Sequence, residues 1–247
     1  MRGIEFLKKH EDSSIRVIFC HHSGSGASFF FPWLKELPTN IEYLAIQLPG
    51  RGSRFNEPLQ KDMGTVIDSL LIDFKKLREK PFILFGHSLG GLICFELTKR
   101  LQGLSLPLPS HLIVSGCRAP HIPLRRGTLY DLPDKEFILE ICRYNGIPTE
   151  ILNDSDELLK IFLPILRADL QISDTYQSLE KTILSCDITA LTGYNDPIVF
   201  EEDAKAWSEY TAVSFNFFSM QGDHFFINTS KGKVLGVIEK IIKKVEQ

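Results

Sequence analysis

Gly86-His87-Ser88-Leu89-Gly90 is the part of this 247-residue chain best equipped for covalent chemistry. It fits the spacing G-x-S-x-G and lies between an apolar run, Phe82–Phe85, and a helical pattern over Leu89–Leu101. A serine held on so sharp a strand-to-helix turn projects its hydroxyl clear of the backbone, and only small residues fit two positions to either side. The helix start also aims amide N–H groups at the point where negative charge builds on a carbonyl under attack. The chemistry implied is nucleophilic acyl transfer through Ser88.

Such a serine needs a base and an acid. In α/β-hydrolases, which use this turn, they follow the nucleophile in the order acid, then histidine. His111, His121 and His224 lie C-terminal to Ser88. His111 opens an apolar run and reads as structural, whereas His121 follows Ala119-Pro120 and is a weaker candidate. His224 falls in Gly222-Asp223-His224-Phe225-Phe226, just after the last strand pattern, and is the expected general base. His87 sits beside the nucleophile, but its neighbouring backbone position turns its ring elsewhere. For the acid, Asp196 follows a strand end, in the loop expected beside the histidine loop. Asp223 is the next choice, and Asp187 precedes its strand. Gly116–Pro120 offers no carboxylate one strand earlier. The backbone amides of Ser23, in the glycine-bearing stretch His21–Gly26, and of Leu89 are the candidate oxyanion donors. His21-His22 lacks a third ligand at suitable spacing, so no metal is expected there, and two-step acyl transfer through a serine calls for no bound organic cofactor.

These groups must be carried by regular elements. Arg16–Cys20, Ile41–Leu48, Phe82–Phe85, His111–Ser115, Ile188–Gly193 and Val213–Phe218 read as strands. Met63–Lys80, Leu89–Leu101, Glu201–Tyr210 and Val234–Val245 read as helices, and the first fourteen residues as a polar leader. Apolar strands alternating with helices give an α/β chain with a mostly parallel central sheet flanked by helices. Residues 118–180 carry helical patterns without a convincing strand. They are expected to form a helical lid inserted into one domain spanning 1–247.

Composition excludes several alternatives. With 28 basic and 31 acidic side chains the net charge is −3, without the basic excess of a general nucleic-acid binder. The five cysteines are scattered and never spaced as CxxC, which fits a reducing compartment rather than a disulfide framework. Without an apolar run of signal-peptide or membrane-spanning length, a cytoplasmic monomer with no membrane partner is expected.

The same words, in order, resemble the type II thioesterases of nonribosomal-peptide and polyketide pathways. The resemblance runs from about Arg16 to the final helix. It includes Phe29 and Trp33, Gln47-Leu48-Pro49-Gly50-Arg51 with Arg54 and Glu57-Pro58, the Ser88 turn, and Ser115-Gly116 with Ala119-Pro120. Leu132-Pro133-Asp134, Leu163-Pro164 and Leu166-Arg167-Ala168-Asp169 follow in the lid, then Asp196-Pro197, Trp207 and Gly222–Phe226. It implies an α/β-hydrolase fold, Ser88, Asp196 and His224 as a triad, and hydrolysis of acyl groups from the phosphopantetheine arm of acyl or peptidyl carrier proteins. That arm belongs to the partner. Departures are Ser23-Gly24-Ser25 where the family has Ala-Gly-Gly, Asn145-Gly146-Ile147-Pro148 for Gly-Gly-Thr-Pro, and Asp187 for a proline. Arg51 and Arg54 are expected to pair with Glu57 or another acid, and Asp169 to brace the lid. Phe29, Phe30, Phe31 and Trp33 should pack on the sheet, with Phe29 and Phe30 at the border of the acyl pocket as the alternative. Arg125 and Arg126 should form a solvated face, with contact to an acidic carrier protein as the alternative. A generic carboxylester hydrolase, or a binding protein on a hydrolase fold, are the rival readings.

Overall fold

Strands with apolar residues on both sides need cover on both faces, and four of the strands here are buried end to end. In the computed structural model, which describes residues 1–77, 80–146, 156–178 and 180–247, these are β2 (Arg16–Cys20), β3 (Glu42–Ile46), β4 (Phe82–His87) and β5 (His111–Ser115). They form the middle of a seven-stranded sheet completed by β1 (Ile4–Lys8), β6 (Asp187–Gly193) and β7 (Phe215–Met220), in the order β1-β3-β2-β4-β5-β6-β7. All neighbours are parallel except β1, which runs antiparallel to β3. On one face pack α1 (Met63–Phe74) and α2 (Leu89–Gly103), and on the other a 3₁₀ segment, Ala27–Lys35, and α7 (Lys231–Val245). This is the α/β-hydrolase architecture expected from the sequence.

β1 corrects the reading of the first residues as a polar leader. It is short, carries Glu5 and Lys8, and sits at the sheet edge, where one long side stays open and no apolar run is required. Asp73 of α1 holds its approach by accepting the Arg2 and Gly3 amides at 2.7 Å each. The first helix also ends earlier than its stripe suggests. Lys76 and Leu77 close 3₁₀-type turns onto Asp73 and Phe74, and the Leu77 carbonyl accepts from Arg16 at the head of β2. Residues 78 and 79, within the predicted helix, lie outside the described residues. The last strand begins two residues late, since exposed Val213 belongs to the turn before it.

Between β5 and β6 come α3 (Asp134–Arg143) and α4 (Asp156–Thr175), with no strand among the described residues there. They share a small apolar core of Leu129, Phe137, Ile141, Leu166 and Leu170, separate from the two sheet cores. Of the Asn145–Pro148 word, Ile147 and Pro148 lie outside the described residues. Among the described residues no helix is long and apolar enough to cross a membrane. The short α5 (Glu201–Lys205) and α6 (Phe226–Thr229) flank β7.

Candidate active site

Ser88 stands at the junction of β4 and α2 with φ 55° and ψ −118°, a conformation side chains rarely adopt. Such a residue costs about 1–3 kcal/mol and persists only where its surroundings fix it. Here the Ser88 amide donates to Ser115 O at 2.8 Å, and Gly91 N–H donates to Ser88 O at 2.9 Å. Gly90 explains the spacing in the motif. A Cβ there would lie 2.3 Å from Cys20 O, so only glycine lets α2 press so closely against the end of β2.

The turns after β6 and β7 bring the other two groups to the serine. Tyr194 N–H and Asn195 N–H donate to Met220 O and Gly222 O, at 2.7 and 2.9 Å, and lock the two loops together. A Cβ on Gly193 would lie 2.2 Å from Asp223 O, which makes glycine necessary at this contact. In the result, Ser88 Oγ donates to His224 Nε2 at 3.0 Å, and His224 Nδ1 donates to Asp196 Oδ2 at 2.8 Å. The other carboxylate oxygen, Oδ1, accepts the Ile198 and Val199 amides at 2.8 and 3.0 Å. Asp196 and His224 are both buried. A nucleophile on a base, and a base on an orienting carboxylate, is the arrangement that activates a serine for acyl transfer. Leu89 opens α2, so its amide is one of those a helix leaves without an internal partner.

Asp223 faces away, with Oδ1 on the Phe225 amide and Oδ2 on Asn145 Nδ2, at 2.8 and 2.9 Å. His111 bonds Thr189 Oγ1 at 2.8 Å, His121 bonds the Tyr210 hydroxyl at 2.9 Å, and Asp187 pairs with Lys244. Two cavities adjoin beside the serine, and Ser88 itself lines the smaller. One of about 70 Å³ runs from Ser88 and His224 along Leu129, Ile141, Leu166 and Leu170. The other, about 560 Å³, opens past Gly24, Ser25, Phe29 and Arg51. His22, Ser23, Gly146 and Phe225 line both.

The family model described as a thioesterase domain matches residues 15–245. The chain belongs to the thioesterase domain family. Gramicidin S biosynthesis protein GrsT of Aneurinibacillus migulanus is 36% identical over 242 residues, covering 97% of this chain and 94% of its own. Linear gramicidin dehydrogenase LgrE of Brevibacillus parabrevis is 35% identical over 238 residues, covering 96% and 90%. Among solved structures, the type II thioesterase BorB from the borrelidin biosynthetic cluster superposes with a TM-score of 0.89 at 30% identity, over 98% of each chain.

In this thioesterase burial holds several other histidines below their ordinary value. Desolvation, helped by the charge of Arg51, pushes His21 down to about 3, and desolvation pushes His22 to about 4. His87, whose Nδ1 meets Ser115 Oγ at 2.9 Å and whose ring centre lies 5.3 Å from that of His224, is held well below its ordinary value by the same burial. His111 is lowered to about 4, again mainly by burial. An unfolded chain takes up these protons near pH 6.5, but the native one takes up those of His22 and His111 only near pH 4 and that of His21 only near pH 3, with His87 lowered in the same direction. Between those values the unfolded state binds more protons, so stability is lost as pH falls from about 6.5 toward 4. The thermal midpoint is expected to hold above pH 7 and fall steadily from pH 6.5 to 4.5. A flat midpoint across that interval would contradict this picture.

Two expectations about the surroundings need correction. Arg126 is not on a solvated face: its Nη2 donates at 2.7 Å to the carboxylate of Asp174, whose side chain is fully buried, and Arg126 borders the smaller cavity. Arg125 pairs with Asp203 and lies over the Phe200 ring. Among the aromatics, Phe30 and Trp33 pack on Phe19 and Phe85 of the sheet, Phe29 borders the larger cavity, and Phe31 is half exposed. The sequence reading also missed His22, Gly146 and Phe225 as cavity walls. The only available signal was their closeness in sequence to Ser23, Asn145 and His224.

Proposed function

We propose that Ser88, His224 and Asp196 act as nucleophile, base and orienting acid in hydrolysing acyl groups from the phosphopantetheine arms of carrier proteins. The observation that carries this reading is the unbroken Ser88–His224–Asp196 hydrogen-bond chain in a member of the thioesterase family. His224 takes the Ser88 proton as Oγ attacks the thioester carbonyl. The Ser23 and Leu89 amides then hold the oxyanion. The C–S bond breaks, the departing thiolate takes the proton from His224, and an acyl-Ser88 ester remains. Water, deprotonated by His224, attacks that ester and releases the acid, and the proton returns to Ser88. The chain needs no cofactor of its own for these steps, because the pantetheine arrives on the partner. The smaller, apolar cavity suits the acyl group and the larger one the arm. The described part of residues 118–180, including α3 and α4, acts as the lid over both, within one domain.

GrsT and BorB belong, by their names, to gramicidin S and borrelidin biosynthesis, which supports a place beside a nonribosomal-peptide or polyketide assembly line. Five free thiols support a reducing cytoplasm. The dehydrogenase name of LgrE belongs to that protein. Here a dinucleotide fingerprint is broken after β2, where the chain reads Gly24-Ser25-Gly26-Ala27-Ser28-Phe29 without a third glycine.

The test compares one short acyl group on a phosphopantetheinylated carrier protein with its free ester. Contacts to arm and carrier are available only to the first, so its kcat/KM is expected to be about 10²-fold higher. Equal or reversed preference would favour a carboxylester hydrolase. If neither substrate is turned over and a fluorophosphonate fails to label Ser88, a binding role on this fold takes its place.

A further inference from the structure

The loop His21–Ala27 presents Ser23 and is fixed both by its own groups and by side chains from two distant segments. The His22–Ser23 peptide, which carries the Ser23 amide, is held through His22 O, which accepts from Ser25 N–H at 3.2 Å and from His21 Nδ1 at 2.9 Å. The next peptide is held at both ends: Ser23 O accepts from His22 Nδ1 at 3.0 Å, and Gly24 N–H donates to Asp169 Oδ2 at 2.8 Å. Asp169, on α4, is fully buried and receives Arg51 through both terminal nitrogens, at 2.5 and 2.7 Å. Arg51 Nη1 also donates to Ser25 O at 3.1 Å.

We propose that the buried Arg51–Asp169 pair is a positioning device for the oxyanion loop, making correct orientation of the Ser23 amide depend on α4 being seated. The inference rests on the Ser88 reading above. A buried ion pair is weak evidence for stability, since well-packed apolar residues of similar volume often serve as well or better. Two apolar side chains would brace α4 against the body equally. They would leave Gly24 N–H and Ser25 O without their partners, so the peptide after Ser23 keeps only its bond from His22 Nδ1 and the loop carrying the Ser23 amide is held less firmly. Leu166 and Leu170, on the same helix, line the smaller cavity, so its occupation and the setting of the loop are mechanically joined.

The test replaces the pair with apolar residues, R51M/D169L, and assays an acyl-pantetheine thioester. The thermal midpoint should equal or exceed that of the unaltered protein. Turnover should nevertheless fall about 10–100-fold in kcat, with KM within about threefold, the pattern of a weakened oxyanion donor. A pantetheine trifluoromethyl ketone, which forms an oxyanion on Ser88, should lose affinity in parallel with kcat/KM. The matching acyl-pantetheine amide, which forms none, should bind as before. A double variant within twofold of normal kcat would overturn the proposal, as would equal loss of affinity for both analogues, which would mean a collapsed cavity. If the double variant does not fold, Asp169→Asn, assayed well below its own midpoint, is read by the same criteria. Ser88→Ala separates the two levels. Full turnover there overturns the nucleophile and this inference together, whereas a dead Ser88→Ala beside a fully active double variant overturns the inference alone.

Discussion

Replacing Ser88 with alanine is expected to end release of acyl groups from a loaded carrier protein, with kcat falling about 10⁶-fold. The substitution removes one oxygen and little else. Among the described residues, Ser88 spends its backbone on Ser115 and Gly91 and its side chain on His224. The strained turn is fixed by those backbone bonds and by the contact of Gly90 with Cys20, so the fold and thermal midpoint should be retained. The oxyanion donors and His224 stay in place and can still assist water directly. A residual rate of about 10³–10⁴ over the uncatalysed reaction is therefore expected, not zero. The check is loss of acyl-carrier thioester followed by intact-protein mass spectrometry. Unchanged turnover would remove Ser88 from the mechanism.

Asp196→Asn is expected to cost about 10⁴-fold in kcat, and Asp223→Asn no more than a few-fold. The difference comes from the partners already around each carboxylate. Asp196 Oδ1 accepts two backbone amides, so an asparagine there keeps its carbonyl oxygen on Ile198 and Val199. Its NH₂ must then face His224 Nδ1 and forces that nitrogen to accept. The proton moves to Nε2, the atom that should receive the proton of Ser88, and the base is disabled with hardly an atom displaced. Asp223 has no such hold on the imidazole, since its oxygens serve the Phe225 amide and Asn145. Parallel kcat measurements on the two variants decide the assignment, and the reverse order of effects would transfer the acid role to Asp223.

The site was legible in the sequence wherever chemistry demands a residue type at a fixed place along the chain. A serine between a strand and a helix, and a histidine after the last strand, are local patterns, and the structure joins them 136 positions apart at 3.0 Å. The choice of Asp196 over Asp223 was harder. It depends on the β6 and β7 loops touching through Gly193, a contact no local pattern encodes. The central strands declared themselves because burial on both faces requires unbroken apolar runs. β1, open along one edge, imposes no such demand, and Glu5 and Lys8 disguised it. Arg126 looked like a surface charge because its partner, Asp174, lies 48 residues away on α4. The Arg51–Asp169 pair spans 118 positions, so the acid expected for Arg51 could be named only as a class.

The central claim is that one serine carries the acyl group during turnover. It is tested most directly by titrating the protein with a fluorophosphonate, mapping the adduct by peptide mass spectrometry and assaying the same samples on an acyl-loaded carrier protein. The expected result is an adduct on Ser88 alone, with carrier deacylation falling in proportion to the fraction labelled. Full occupancy of Ser88 with carrier deacylation undiminished would contradict it.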